Sequence, residues 1–253
     1  VDTGAIATAV RALDPKTIAA EMALDKKGFA VTASDVALER SCRVGLGVRA
    51  ILERGGYSAF SMNFLAFDSK EAPVDTTPIL EAAKAMARGI GYGGEGDVLT
   101  ASVTGAILRA FGDTTFTEIF CPDWTGNSLF LSHMGEVNPC VLQKGTATIR
   151  EQARTFSPTN PGAYITGALR EGPAVFVNCA PGPDDTFSLI IAPVAVLPDT
   201  TVEGMKASVR GWIRPACPVA TFLEEYSKAG GTHHSTLVMG NHTEALAAFA
   251  RYA

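Results

Sequence analysis

Gly89-Ile90-Gly91-Tyr92-Gly93-Gly94-Glu95-Gly96-Asp97 is the stretch on whose reading the fold turns. Gly89, Gly91 and Gly94 satisfy G-x-G-x-x-G, which would suggest a dinucleotide site. That fingerprint needs a strand in front of it and a helix opening at its end. Here the preceding segment, 78–88, carries a helix pattern instead. Thr77 is placed as N-cap and Pro78 at the first position, with Ile79, Leu80, Ala83, Met86 and Ala87 on one side and Gly89 closing the helix. The nucleotide reading fails on context. A plainer one is a turn between two helices in which Asp97 caps a helix from Val98 to Ala110. It accounts for the glycines and Asp97 but not for Glu95, a carboxylate set between two glycines where backbone can approach a ligand closely.

Working outward, Glu118 lies in the apolar run Thr115–Phe120, and His133 ends the apolar run Ser128–Leu131. Near the far end, Gly230-Gly231-Thr232-His233-His234 adds a histidine pair. The chain has four histidines, and three of them fall in these segments. Carboxylates and imidazoles at the edges of ordered elements suit a hard-to-borderline divalent metal. Each has an ordinary reading when taken alone. Glu118 could be a strand-edge carboxylate, and His133 a core histidine bonded to a carbonyl. The histidine pair is harder to dismiss, since neither is needed for the turn. His242, beside Asn241 at a helix start, reads as a surface or capping residue. Asp123 and Glu136 read as structural, with Glu136 near enough to His133 in sequence to support it.

The remaining chain is α/β and then β-rich. Asp14-Pro15 starts a helix ended by Gly28, and Ser34 starts a second, buried one ended by Gly55-Gly56. Tyr57 to Leu65 follows as a strand-like run, and Thr115–Phe120 as a later strand. The expected first unit, residues 1–124, is an α/β domain with a partly parallel sheet and covering helices. After about Cys121, proline and glycine become frequent and short β-rich runs appear: Ser128–Leu131, Ala163–Leu169, Ala174–Asn178 and Phe187–Leu197. These predict a mostly antiparallel barrel or sandwich over residues 125–253. A helix over 218–228, a strand Ser235–Met239 and a helix from Thr243 to Ala253 complete it. With 253 residues, 47% hydrophobic and a net charge of −5, the chain reads as globular, with no reason to expect nucleic acid or an anionic membrane as partner. Five scattered cysteines, none in C-x-x-C spacing, argue against a disulfide framework or zinc ribbon and fit a reducing cytoplasm.

Four ordered motifs now carry a resemblance. Gly91–Asp97, Thr115–Glu118, Gly126–Pro139 and Ala229–His234 resemble the C-terminal half of the L-arabinose isomerase family, and more loosely the wider arabinose/fucose isomerase group. Gly55–Phe64 is similar to that family's strand leading to the sugar. The resemblance implies a metal-dependent aldose–ketose isomerase of a pentose or deoxyhexose, working through an ene-diolate. It implies Glu95 and Glu118 as catalytic and metal-binding, with His133 and His233 completing the metal site. Mn²⁺ is the expected metal, and Mg²⁺ or Co²⁺ the substitutes. Met62, Phe64, Met134 and His234 are the implied substrate contacts. Ser61-Met62-Asn63-Phe64 stands where L-arabinose isomerases usually read Thr-Thr-Asn-Phe, so Met62 removes a hydroxyl and leaves the sugar open. A non-catalytic sugar-binding protein, or a metal-dependent epimerase or aldolase, is the alternative. The resemblance further implies a homo-oligomer, and a site completed by an N-terminal α/β domain absent from this chain or by a neighbouring subunit.

Overall fold

The computed structural model describes residues 1–153, 158–184, 186–200 and 203–251. In chain order it runs α1 (Thr3–Arg11), α2 (Pro15–Gly28), β1 (Ala30–Val31), α3 (Asp35–Gly55), β2 (Ala59–Ser61), α4 (Ile79–Ala87), β3 (Gly91–Gly93) and α5 (Val98–Phe111). There follow β4 (Thr114–Asp123), β5 (Ser128–Ser132), β6 (Thr148–Gln152), β7 (Gly162–Ala168), β8 (Gly172–Pro181), β9 (Phe187–Val196) and β10 (Val209–Pro215). The last elements are α6 (Val219–Lys228), β11 (His234–Met239) and α7 (Thr243–Ala250). The expected helix to Ala253 is described only as far as Arg251; its last two residues lie outside the described residues.

Local chemistry sets most of the helix ends. Asp14 caps α2 on Lys16 N, and Ser34 caps α3 on Ala37 N. Gly56 ends α3 in the left-handed region at φ 62°. Two expectations are corrected. Thr77 does not cap α4: its carbonyl, not its hydroxyl, accepts the Ile79 N–H at 2.9 Å, and Pro78 takes the cap position without a side-chain bond. The strand expected over Tyr57–Leu65 is only β2, because the Asn63 side chain accepts from Leu65 N and folds residues 64–66 into a 3₁₀ turn.

The fold is mixed α/β, and its large sheet is mostly antiparallel in pairing. Nine strands run in the order β1-β6-β7-β10-β5-β4-β11-β8-β9, and β9 also pairs β10. The pairings of β10, β5, β4, β11, β8 and β9 therefore return on themselves, each antiparallel. Among the described residues, parallel pairing is confined to β1–β6, β7–β10 and the separate two-stranded sheet β2–β3. The later strand expected near Thr115 thus joins the antiparallel sheet through β5 and β11 rather than the parallel one. Among the described residues, no helix is long and apolar enough to cross a membrane.

α5 bridges the two sheets at close range. A Cβ on Gly91 would lie 2.4 Å from Gly105 N and 2.3 Å from Ala101 O, so glycine is required where β3 meets the helix. On its other side Thr104 Oγ1 and Thr236 Oγ1 share a hydrogen bond of 2.7 Å, tying α5 to β11. The turn between β3 and α5 is thereby held over one end of the antiparallel sheet.

A candidate histidine–carboxylate centre

Strand register alone assembles half of the site. His234 stands opposite Glu118 in the β11–β4 pair, and Glu118 stands opposite Ser132 in the β4–β5 pair. Directly opposed residues project to the same face of a sheet. His133 follows Ser132 as β5 ends. The β3–α5 turn then delivers Glu95 from the other sheet, with its backbone at φ 57°, a left-handed conformation that only a few per cent of non-glycine residues adopt.

The two imidazoles meet edge-to-face with 5.6 Å between ring centroids, and both pack edge-on against the buried Phe116. His133 Nδ1 lies 2.8 Å from Glu136 Oε2, and Glu136 is fully buried with its Oε1 3.3 Å from the Tyr92 hydroxyl. His234 Nδ1 lies 3.1 Å from Asp97 Oδ2. A carboxylate only accepts, so each ring donates Nδ1–H and turns Nε2 to the interior of the site. Neither Nε2 has a hydrogen-bond partner, although both are buried. Glu118 Oε2 stands 3.8 Å from His133 Nε2, and Glu95 Oε2 stands 3.8 Å from His234 Nε2. These contacts exceed hydrogen-bond length and leave room between donor atoms.

Electrostatics favour a cation. Burial alone would push the His133 imidazole below its ordinary pKa, but Glu136, through its charge and hydrogen bond, with Glu118 and Glu95 beyond, holds it above. Burial would raise the Asp97 carboxyl, yet hydrogen bonds from His234 and Thr100 bring it down to about 2. Asp97 thus carries two duties, capping α5 on Thr100 N at 2.8 Å and holding His234.

The expected residues divide. Glu95, Glu118, His133 and the histidine pair converge. Within the pair, the His234 side chain is 1% exposed and His233 60%; His233 Nε2 lies 3.7 Å from Glu95 Oε2, and its ring lies against that of His234, 3.9 Å between centroids. Two triplets have donor atoms within 4.8 Å of one another, Glu118–His133–His234 and Glu95–His233–His234, and His234 is common to both. Met134 is half-buried beside His133 in the chain. Met62 and Phe64 are buried in the core that also holds Tyr92 and Phe116. They pack in the core with Val48, Ile51 and Ile79, and Met62 lines a cavity of about 490 Å³ whose walls include Ile6, Phe60 and Phe67 but none of the clustered residues. His242 bonds the Met239 carbonyl at 3.1 Å and stacks on Phe111. Asp123 accepts from Gly126 N in the β4–β5 turn. Sequence reasoning missed Tyr92 and the histidine-holding role of Asp97. It also missed Asn178, whose side chain donates to His234 O at 2.6 Å and fixes the approach to β11. Only Asp97 had a local signal, and its capping role explained that signal fully.

The fold and site define a mixed α/β protein with a histidine–carboxylate cluster at the end of an antiparallel sheet. The sequence profile of the L-arabinose isomerase central domain matches residues 3–112, and that of the L-arabinose isomerase C-terminal domain matches residues 113–253. An L-arabinose isomerase of Saccharophagus degradans is 27% identical over 265 aligned positions, covering 99% of this chain and 51% of that protein. Those of Nocardioides sp. and Levilactobacillus brevis are each 30% identical, over 79% and 76% of this chain and 40% of theirs. The chain belongs to the L-arabinose isomerase family. It spans about half the length of the curated relatives it matches.

Proposed function

We propose that this chain carries the cation-binding centre of an aldose–ketose isomerase, as the L-arabinose isomerase names of its relatives suggest, with a pentose or deoxyhexose as substrate. Glu95, Glu118, His133 and His234 are the residues that would hold the divalent cation, with Mn²⁺ the first candidate for a mixed carboxylate–imidazole set. The observation that carries this is the pair of buried, partnerless Nε2 atoms. Leaving such an atom unpaired costs about 1–3 kcal/mol, and two at one spot, facing two carboxylates, mark a place built for a positive ligand. This assignment takes His234 as ligand instead of His233. His234 is buried and oriented by Asp97, whereas the His233 side chain is 60% exposed and has Glu95 as its nearest carboxylate.

A cation held there would polarise the carbonyl of an open-chain sugar. The protein's own groups do the rest. Glu118 is partly buried and Glu95 lies at the rim, so two carboxylates flank the space in front of the imidazoles. Such a pair can take a proton from one sugar carbon or oxygen and return it to the neighbour. Phe116 and the fully buried Tyr92 keep water from the back of the rings. The exposed side, Glu95 and His233, is where a further domain or a neighbouring subunit would close over the sugar. Five free cysteines are in keeping with a cytoplasmic protein.

Titration calorimetry with Mn²⁺, paired with ketose assays on a sugar panel in the longest natural form of the protein, tests this. Glu95→Gln and Glu118→Gln should each abolish turnover and weaken Mn²⁺ binding, and His242→Ala should change neither. Sugar affinity with no metal binding would instead mark a non-catalytic binder, and epimer or cleavage products another reaction.

A further inference from the structure

We infer that Glu136 and Tyr92 are positioning residues for His133, and that their buried chain sets the affinity of the cation site. The inference rests on the reading of the cluster as a cation site. It concerns residues that touch neither cation nor sugar in that reading.

Three observations carry it. Glu136 is 0% exposed, and its Oε2 stands 2.8 Å from His133 Nδ1. A fully buried carboxylate is costly unless its charge is answered. Here an imidazole beside it stays polarised, and a cation beyond the ring would be answered in turn. Second, Tyr92 is also 0% exposed and donates its hydroxyl to Glu136 Oε1 at 3.3 Å, so the carboxylate is gripped from behind. Tyr92 cannot turn away. Its ring meets Phe60 and Phe116 edge-on at 5.2 and 5.4 Å, and it lies in β3, immediately before the turn that carries Glu95. Third, the arrangement recurs at His234, where Asp97 fills the same place on Nδ1. Two imidazoles, each with a carboxylate on Nδ1 and a partnerless Nε2, form a pattern that packing alone has no reason to repeat.

The chemistry is directional. A carboxylate accepting Nδ1–H leaves the lone pair of the neutral ring on Nε2 and makes it more basic, and outer partners of this kind are typically worth 10–100-fold in metal affinity. Without Glu136 the ring could rotate or carry its proton on Nε2, and either removes a donor from the site.

The test uses ¹⁵N-histidine-labelled protein and Mn²⁺ calorimetry on the whole chain. In the metal-free wild type, each buried ring should give an exchange-protected Nδ1–H resonance, whether or not Nε2 is protonated. Glu136→Met keeps the side-chain length but cannot accept. It should lose the His133 resonance, keep that of His234, and weaken Mn²⁺ about 10–100-fold. Glu136→Gln retains an acceptor and should fall between. Tyr92→Phe removes only the hydroxyl and should weaken Mn²⁺ by a few fold with both resonances kept. It decides the matter if Glu136→Met does not fold. The retained His234 resonance separates a local effect from general loss of structure. Wild-type affinity in Glu136→Met, or in both milder variants, overturns the inference, as does a surviving His133 resonance in Glu136→Met. A wild-type chain that shows the resonances but binds no Mn²⁺ sinks the proposed function instead. The resonances then still show whether Glu136 holds the ring.

Discussion

A methyl group at Gly94 would meet His133 Cε1 and Phe116 Cζ, each at 3.1 Å. The glycine next to Glu95 is therefore a steric allowance for the imidazole behind it, and the chain needs it even where φ is ordinary. Gly94→Ala should destabilise the fold by about 1–2 kcal/mol through forced displacement of two buried rings. Gly28→Ala, which meets nothing within 4 Å, should not; thermal unfolding of the pair checks this. The histidine pair is also decided at this scale. His234→Ala should weaken Mn²⁺ by more than about 100-fold, exceeding the usual loss from an outer partner, and His233→Ala by only a few fold. A reversed order in calorimetry would return the ligand role to the exposed histidine.

At the scale of elements, the helices of the first half are clamped by charge as well as by apolar contact. Arg49 on α3 reaches Glu21 of α2 at 2.6 Å and Glu81 of α4 at 2.9 Å, while Lys84 of α4 holds Asp25 of α2 at 2.7 Å. Glu21, Asp25 and Glu81 are all buried. Removing one member leaves charge without its answer, so Arg49→Met should cost about 3 kcal/mol in urea unfolding, the low end for a buried pair, because Lys84 and Arg88 still face the same carboxylates. The clamp also predicts a pH dependence. Burial would raise the Glu21 carboxyl, but Arg49 and Lys84 bring it from an ordinary 4.5 to about 2. A folded pKa below the unfolded one contributes stability above the unfolded value, and that contribution is lost as pH falls through the folded one. Denaturant midpoints should therefore fall between about pH 4.5 and 2, and fall less steeply in Arg49→Met. An unchanged acid slope in that variant would remove Glu21 as the cause.

For the whole molecule, the openness of the cluster matters most. Glu95 and His233 have side chains 43% and 60% exposed, so the front of the site faces water. The proposed isomerisation would need an open-chain sugar held in a reactive geometry with water excluded, and Glu95 and His233, on the open side, leave the front exposed. The chain aligns with 51% of the Saccharophagus degradans relative and 40% of the Nocardioides one. The prediction is that it binds Mn²⁺ by itself while ketose formation stays near background. Robust turnover from this chain alone would show that the cluster needs nothing more.

The sequence by itself singled out Glu95, Glu118, His133 and the histidine pair, and most of the elements that bear them. Asp14-Pro15, Ser34, Gly56 and Asp97 set helix ends through bonds within a few residues, and such signals are readable because they are local. Glu95 between glycines and the histidine pair stood out because no local structure needs them. The tertiary structure alone decided what joins them. That Glu118 faces His234 depends on the register between strands more than a hundred residues apart, which no local pattern encodes. The burial of His234 rather than His233 is also tertiary: β11 begins at His234, whose ring is held between Asp97 and Phe116, while His233 lies just before the strand with its side chain 60% exposed. Where Met62 sits is likewise a matter of packing: it is buried in the core that also holds Tyr92 and Phe116, one residue after Ser61 pairs with Gly93 and just before the Asn63 turn.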